Sequence, residues 1–361
     1  MAILNKIFST KMYQATYYVE ETHEGMRLDQ FLQIYLESWS RQEVKRRIKA
    51  KDVVIKDRPG KHRSSTILHY KEEVTFTVHN TTQEDEYWNG ELLKKQEHPE
   101  ILFEDENIVV ISKPAYMAAH PTGSHLFYCA TVYFGEKYNQ TMHSIHRLDR
   151  ETSGVMLIGK NPDTSNQLGE EFFNDKVRKC YFFIAKEVED ATQDDFFESR
   201  ERLGPNEDGL KRVYINSHPE QSKLGKRAHT KFKVLHRENG YVLALAFPQT
   251  GRQHQIRVHA MVRGLPLLGD KLYLGNFKMF QRFKDKIATQ ADHDEMEFNR
   301  HALHAVALKI RYNGQYKVFR SAIPMDFIPI IENKFTLPID KINERIKSGV
   351  LEYFDSNSDD L

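Results

Sequence analysis

The chain has 361 residues, of which 40% are hydrophobic and 11% aromatic, a composition typical of a folded globular protein. This length predicts two domains, and no stretch approaches the roughly 20 apolar residues of a membrane helix. The start, MAILNKIFSTKMYQ, lacks the apolar core and cleavage site of a signal peptide. Only two cysteines occur, outside any CxxC pair, so we expect no disulfide framework, no thiolate metal site and a cytoplasmic location.

The formal net charge of +1 conceals an uneven distribution of charge. Residues 41–63, RQEVKRRIKAKDVVIKDRPGKHR, contain ten Lys or Arg against three Asp or Glu, whereas residues 81–100 and the chain end are mostly acidic. A clustered basic face is typical of nucleic-acid binding, because neutralised phosphates release their counterions. The alternative for an isolated charge run is a solvated helix face.

The basic run belongs to a small predicted α+β domain at residues 15–79. Apolar residues at helical spacing between Leu28 and Leu36 predict a first helix. Ser40 is a candidate N-cap for a second helix, with Glu43 as its capping-box partner. That helix is predicted to turn its basic residues outward, namely Arg41, Lys45, Arg46 and Lys49. Strands follow, and the polar stretch 80–98 is predicted to be a linker.

Residues 99–335 predict a second, mixed α+β domain in which strands outweigh helices. Helices are predicted at 165–176 and 253–264, and a final helix with an acidic end at 336–361. The strands are predicted at VMLIGK (155–160), YFFIAKEV (181–188), HTKFKVLHR (229–237) and YVLALAF (241–247).

The motif HRLDRETSG, residues 146–154, places one carboxylate between two arginines. Arg147 and Arg150 should keep Asp149 ionised, because a nearby positive charge favours the charged form. An ionised carboxylate on a rigid turn is a usable nucleophile, and Gly154 allows a sharp turn into the next strand. In the alternative interpretation, Asp149 caps the turn and the arginines are ordinary surface charges.

Two further motifs carry candidate functional residues. TGRQHQIRVHAMVRGLPLLGD, residues 250–270, brings several arginines and histidines to a predicted helix start, where an anion could bind. Its alternative is a core helix with solvated arginines. RKCYFFIAK places Tyr181 among apolar strand residues, where a tyrosine is ordinarily part of the core.

Together and in this order, the three motifs resemble the RluA-type pseudouridine synthases. ILFEDENIVVISKPAYMAAHP and RHALHAVAL resemble the family as well, so that the resemblance covers about residues 100–325. RLDQFL and SRQEVKRRIK resemble an S-four-like RNA-binding domain, although Lys56-Asp57 replaces its usual asparagine-glycine. The resemblance implies a mainly antiparallel mixed sheet in the catalytic domain and a small α+β RNA-binding domain before it.

The resemblance also implies roles for individual residues. Asp149 would attack the target uridine, Tyr181 would lie against the flipped uracil, and Arg252 would pair with Asp149, with Arg257 as the alternative partner. Arg147 would occupy the space of the extruded base, since a stacked base must be flipped before reaction. Leu148 and Ile256 would form uracil-pocket walls, and the other predicted RNA contacts are His146, Arg150, Arg257, Arg41, Lys45, Arg46 and Lys49.

The predicted function is therefore isomerisation of uridines in structured RNA, ribosomal RNA of the large subunit or alternatively transfer RNA. We expect a monomer that needs no cofactor, metal or membrane. A catalytically silent RNA-binding or assembly factor is one alternative. A glycosidase is another, and it would need a second acid near Asp149, for which Glu151 is the closest in sequence. The insertions 189–228 and 276–299 assign no substrate.

Overall fold

The computed structural model describes residues 3–36, 39–81, 84–96, 98–122, 125–206 and 213–355. It divides into two compact units, the first formed by Met1–Glu86 with Met117–Met142 and the second by Tyr87–Tyr116 with His143–Leu361. The first unit therefore includes a segment that we had predicted to lie within the catalytic domain. The acidic chain end at 356–361 lies outside the described residues.

The first unit is a four-stranded antiparallel sheet with three helices. The strands pair in the order β1-β2-β4-β3, and alternate residues of β2, such as Tyr13 and Tyr17, are buried. Strand β1 and the first residues of β2 lie before residue 15, where we predicted the domain to start, and the predicted domain bounds stay a prediction. The elements are β1 (Ile3–Phe8), β2 (Met12–Tyr18), α1 (Leu28–Tyr35), α2 (Arg41–Lys49), β3 (Val53–Ile55), β4 (Glu73–His79) and α3 (Ala130–Tyr138).

The segment after residue 117 completes this unit. Leu126 and Phe127 are buried in the same apolar cluster as α1 and the sheet. The buried carboxylate of Glu84 accepts hydrogen bonds from the backbone N–H groups of residues 126–128 at 2.6, 3.0 and 3.0 Å. A buried carboxylate is stable only with such donors, so this segment is fixed to the unit by charge-assisted hydrogen bonds as well as by packing.

Helix α2 begins as predicted. The Ser40 hydroxyl accepts a hydrogen bond from the Glu43 backbone N–H at 3.1 Å. The Glu43 carboxylate does not complete a capping box; it accepts hydrogen bonds from Arg46 and Arg47 instead. The basic residues of α2 that we predicted to face outward are all exposed, namely Arg41, Lys45, Arg46 and Lys49.

The second unit contains a ten-stranded sheet and confirms the predicted α+β class. Its main path is β12-β15-β16-β11-β17-β10-β8-β7, with β18 beside β17 and β9 beside β10. Strands β10 and β17 form a parallel pair, and the other described pairs are antiparallel. The strands are β5 (Tyr87–Trp88), β6 (Glu91–Leu92), β7 (Glu100–Glu104), β8 (Ile108–Lys113), β9 (His143–Ser144), β10 (Ser153–Gly159), β11 (Arg178–Lys186), β12 (Phe196–Ser199), β13 (Arg202–Pro205), β14 (Ile215–His218), β15 (Thr230–Glu238), β16 (Tyr241–Pro248), β17 (Leu303–Tyr312) and β18 (Gln315–Arg320).

Helices cover both faces of this sheet. The helices are α4 (Pro162–Phe173), α5 (Gln255–Val262), α6 (Phe277–Lys284), α7 (Gln290–Met296), α8 (Ile328–Lys334) and α9 (Ile339–Asp355). In β11, Phe182 packs in the cluster that contains α8 and α9 residues, whereas Phe183 packs in the cluster of α5. Burying each ring contributes about 1.5–3 kcal/mol. Strand alternation therefore places Tyr181 on the α5 face, beside that second cluster.

Gly154 is required where β10 starts to pair with β17. Its φ is +110°, and a Cβ added to it would lie 2.2 Å from the Ala305 carbonyl oxygen. Gly154 and Ala305 are register partners in the parallel pair. The sequence predicts a sharp turn at this glycine, and the structure adds close contact between two backbones as a second reason for it.

Parts of the chain that we predicted to be linker or insertion contain regular structure. Residues of the stretch 80–98 form the hairpin β5–β6, and Trp88 in it stacks on Phe283 of α6, with ring centroids 5.8 Å apart. The insertion 189–228 supplies β12, β13 and β14, while its residues 207–212 lie outside the described residues. Both cysteines are buried free thiols, and no helix among the described residues is long and apolar enough to cross a membrane.

Candidate active site

Asp149 lies in the loop between β9 and β10. Its carbonyl oxygen accepts a hydrogen bond from the Thr152 N–H at 3.0 Å, which closes a turn, and the neighbouring Leu148 is buried. The Asp149 side chain is 27% exposed, and its Oδ2 lies 3.3 Å from Nη1 of Arg257 and 3.9 Å from Nε2 of His254. The loop therefore presents a partly exposed carboxylate whose cationic partner is buried.

Arg257, on α5, is held by a second carboxylate. Its Nε and Nη2 donate to the two oxygens of Asp270 at 2.6 and 2.8 Å, and this two-bond geometry fixes the guanidinium plane. Asp270 also accepts hydrogen bonds from the backbone N–H groups of Leu272 and Tyr273. The remaining nitrogen of Arg257, Nη1, therefore points at Asp149.

The prediction that Arg252 pairs with Asp149 is wrong; the alternative partner, Arg257, makes the contact. Arg252 precedes α5, and its backbone N–H donates to the side chain of Gln255. Its guanidinium is exposed and donates through Nε to the Arg227 carbonyl oxygen at 3.0 Å. Helix α5 starts at Gln255, two residues later than we predicted, with Arg252 in the loop before it and Arg257 on the helix.

The electrostatics favour an ionised Asp149. Burial raises the pKa of its carboxyl group, but the positive charge that His254 carries in acid and the charge of Arg257 outweigh burial, so the pKa lies below its usual value. Burial also lowers the pKa of His254 to about 3. At neutral pH His254 is therefore uncharged, and the Arg257 guanidinium is the cation in contact with Asp149.

Tyr181 keeps its proton beside this carboxylate. Burial, and next the negative charge of Asp149, raise the pKa of its phenol above the usual value. The half-buried ring packs against the apolar cluster that contains Ile256 of α5. The structure thus brings Asp149, Arg257 and Tyr181 together from a loop, a helix and a strand.

A second polar network lies behind the loop, and sequence reasoning missed it. The Glu151 carboxylate accepts from the His301 N–H at 3.1 Å and lies 3.5 Å from Lys271 Nζ. The buried Arg300 donates to the Glu151 carbonyl oxygen at 2.9 Å and to both carboxylate oxygens of Asp326. Burial raises the pKa of Glu151, but Lys271 and His301 hold it well below its usual value. Glu151 is thus an ionised support of the loop and a poor proton donor for a glycosidase.

His146 also supports the loop, and its predicted role in RNA binding stays a prediction. Its Nε2 accepts a hydrogen bond from the Leu157 N–H at 3.0 Å, and its ring stacks on Phe172 with centroids 4.3 Å apart. Burial lowers the pKa of His146 to about 3. Because the imidazole is neutral and already accepts a hydrogen bond from the backbone, it provides no positive charge for a phosphate.

The remaining predicted site residues have distinct positions. Arg147 is exposed on the loop, and the half-buried Arg150 lies over the Tyr116 ring, 5.5 Å from its centroid. Leu148 and Ile256 are both buried. These positions are compatible with RNA contacts and pocket walls, and those roles stay predictions.

Comparisons with known proteins identify similar chains. The profile of the family described as RNA pseudouridylate synthase matches residues 107–261. An uncharacterised RNA pseudouridine synthase of Zymomonas mobilis is 31% identical, covering 58% of this chain and 86% of the relative. An uncharacterised RNA pseudouridine synthase of Bacillus subtilis is 27% identical over 89% of this chain and 98% of the relative. Ribosomal large subunit pseudouridine synthase D of Haemophilus influenzae is 26% identical, with 87% and 92% covered.

A solved structure shares the fold. The human RNA pseudouridylate synthase domain containing 1 matches with a TM-score of 0.53 and 19% sequence identity. The match covers 70% of this chain and 95% of the human chain.

We predict that Arg257→Met destabilises the protein far more than Arg252→Met. Removing Arg257 leaves Asp149 and Asp270 without their buried cation, which should lower the free energy of unfolding by about 3–5 kcal/mol. The exposed Arg252 should cost less than about 0.5 kcal/mol. Urea unfolding of both variants measures the difference, and a larger loss in Arg252→Met would contradict the assignment.

We predict that acid destabilises the wild type more steeply than His146→Gln. The folded pKa of His146, about 3, lies below its ordinary value of 6.5, so the unfolded chain binds more protons between these values. Stability should therefore fall as pH drops below about 6.5, by up to about 1.4 kcal/mol per pH unit for this group. Urea unfolding at pH 7 and 5 tests this, and equal losses in both proteins would refute it.

Proposed function

The chain belongs to the RNA pseudouridine synthases of the RluA type, and on this premise we propose that it isomerises uridines of large-subunit ribosomal RNA with Asp149 as its nucleophile. As a pseudouridine synthase it is an isomerase. The observation that carries the assignment of Asp149 is its contact with the buried Arg257, which keeps the carboxylate ionised in a partly exposed loop.

In the proposed reaction, the target uridine first leaves the base stack, at a cost of a few kcal/mol. The Asp149 carboxylate attacks the uridine, so that the bond between the ribose carbon C1′ and uracil N1 breaks. The detached uracil turns and forms a new bond from C5 to C1′, and the bond between Asp149 and the uridine breaks, which restores the carboxylate. The proton on C5 is released and N1 gains one, so the product is an isomer and no co-reactant is consumed.

Tyr181 and two apolar side chains would hold the detached uracil. The Tyr181 phenol is protonated at neutral pH and borders the cluster of Ile256, so it can pack against a base and donate a hydrogen bond. Leu148 adjoins Asp149 in the chain. An apolar environment excludes water, which strengthens the charge interactions of Asp149. We therefore assign these residues to the uracil pocket.

Basic residues outside the pocket would bind the RNA backbone. Arg147 is exposed beside Asp149 and is proposed to fill the place of the flipped base. Arg150 and the exposed cations of α2 are proposed to contact phosphates, which position an RNA without reading its sequence. The name of the Haemophilus influenzae relative supports a ribosomal substrate. A transfer RNA substrate has no specific observation in its favour.

The proposed monomeric state and cytoplasmic location stay predictions. The location is supported by the low cysteine content of the chain and by the burial of both thiols as free cysteines.

We predict that Asp149→Ala abolishes turnover while RNA affinity changes by less than about threefold, because phosphate contacts dominate affinity. The assay incubates each protein with unmodified ribosomal or transfer RNA carrying tritium at C5 of uridine and measures tritium released to water. Filter binding of the same RNA is the control. Residual turnover in the variant would remove Asp149 from the mechanism, and release from transfer RNA alone would reassign the substrate.

We predict that the double variant Lys45→Gln/Lys49→Gln lowers the salt dependence of RNA binding. If both lysines contact phosphates, the slope of log affinity against log salt should become shallower by about 1.4–1.8. Lys341→Gln/Lys347→Gln is the matched control, since these two lysines are exposed on α9 and the change in net charge is equal. Equal slopes in the two double variants would exclude α2 from the RNA interface.

A further inference from the structure

Lys179 is a buried lysine on the same face of β11 as the proposed uracil pocket. Arg178, its neighbour, donates to the Tyr353 carbonyl oxygen of α9, so alternation points Lys179 toward the α5 face with Tyr181. Residues two apart on a strand are separated by about 6.6 Å. Lys179 is only 8% exposed, yet the mechanism described above does not use it.

The ammonium of Lys179 lies beside the loop that contains Arg252. Its Nζ is 3.8 Å from the position that a Cβ on Gly251 would occupy. Gly251 and Arg252 are both exposed, so this lysine ends next to the protein surface. The charge of Arg252, whose guanidinium does not reach Asp149, is close enough to affect the pKa of Lys179.

Within the part of the chain that the structure describes, no acceptor forms a hydrogen bond or ion pair with Lys179. Burial lowers its pKa first, the charge of Asp175 raises it and that of Arg252 lowers it, and the net shift is downward. Burying a cation without a bound anion costs free energy. A second cation nearby increases this cost by charge repulsion. An anion placed between them would relieve both costs.

Two other buried or half-buried lysines of this unit, Lys113 and Lys186, are paired. Lys113 donates to the carbonyl oxygens of Pro114 and Arg150 at 2.9 and 3.3 Å. Lys186, at the other end of β11, forms an ion pair with Glu297 at 2.7 Å. Those pairings explain both lysines as parts of the fold, whereas no hydrogen bond or ion pair among the described residues holds Lys179.

We propose that Lys179 and Arg252 form a phosphate-binding subsite that holds the RNA backbone next to the flipped uridine. This proposal rests on the proposed function, since it takes the uracil to lie against Tyr181. A phosphate at Lys179 would then be separated from that base by a distance on the scale of one nucleotide. The subsite would place the ribose over Asp149 by fixing the backbone beside it.

The test compares Lys179→Met with Lys186→Met and with Lys179→Arg. Methionine keeps the length of the side chain and removes the buried charge, so Lys179→Met should fold, and a thermal melt checks this. The substrate is an unmodified large-subunit ribosomal RNA transcript with tritium at C5 of uridine. Tritium release gives kcat/KM over a range of salt concentrations, and filter binding of the same transcript gives the salt slope of affinity.

We expect Lys179→Met to lose about tenfold in kcat/KM at low salt, with the loss shrinking as salt rises. Its binding slope should be shallower by about 0.7–0.9, the value for one phosphate contact. Lys186→Met should keep the wild-type slope, and Lys179→Arg should retain most of it. Arg252→Met should behave like Lys179→Met.

A loss of activity in Lys179→Met that is equal at all salt concentrations, with an unchanged binding slope, would overturn the subsite and give Lys179 a structural role. Wild-type protein that releases no tritium would instead overturn the proposed function. The filter-binding slopes would still decide in that case whether Lys179 meets a phosphate.

Discussion

The site depends on one buried arginine between two carboxylates. Arg257 uses two nitrogens on Asp270 and a third on Asp149. An arginine bound only to Asp149 could follow that side chain into solvent, whereas the buried Asp270 fixes its plane. Burying such a group of charges is costly unless the geometry is good. The local fold therefore fixes the side of Asp149 on which the positive charge of Arg257 lies.

That arrangement explains why distant segments meet at one loop. Helix α5 supplies Arg257, and the turn after it supplies Asp270, which also holds the backbone at residues 272 and 273. From behind, Arg300 and His301 bind the loop at Glu151. The loop enters β10 at Gly154, where two backbones touch. Each contact restricts the loop from a different side, so the Asp149 backbone has little conformational freedom.

Local patterns predicted the strands β10, β11, β15 and β16, the helix α2 and the Asp149 loop, because periodicity and capping depend on neighbours in sequence. They did not decide between Arg252 and Arg257, since both lie within a few residues of a helix start whose position sequence fixes poorly. The role of Glu151 depends on His301, about 150 residues away. The β1 strand is exposed at all six positions, so it has no alternation to detect. Local sequence patterns therefore do not predict long-range contacts, or strands that have no buried face.

The first unit is built from two separate segments of the chain, and this has a consequence for folding during synthesis. Leu126, Phe127 and their hydrogen bonds to Glu84 belong to its core, yet they follow a stretch of chain that belongs to the second unit. At translation rates of about 5–20 residues per second, the missing segment emerges some seconds after Glu84. During this interval the nascent unit lacks part of its apolar cluster and keeps a carboxylate without its donors. A nascent chain paused before residue 126 would thus carry an incomplete first unit, and folding factors that bind it would contact apolar surface that the finished protein buries.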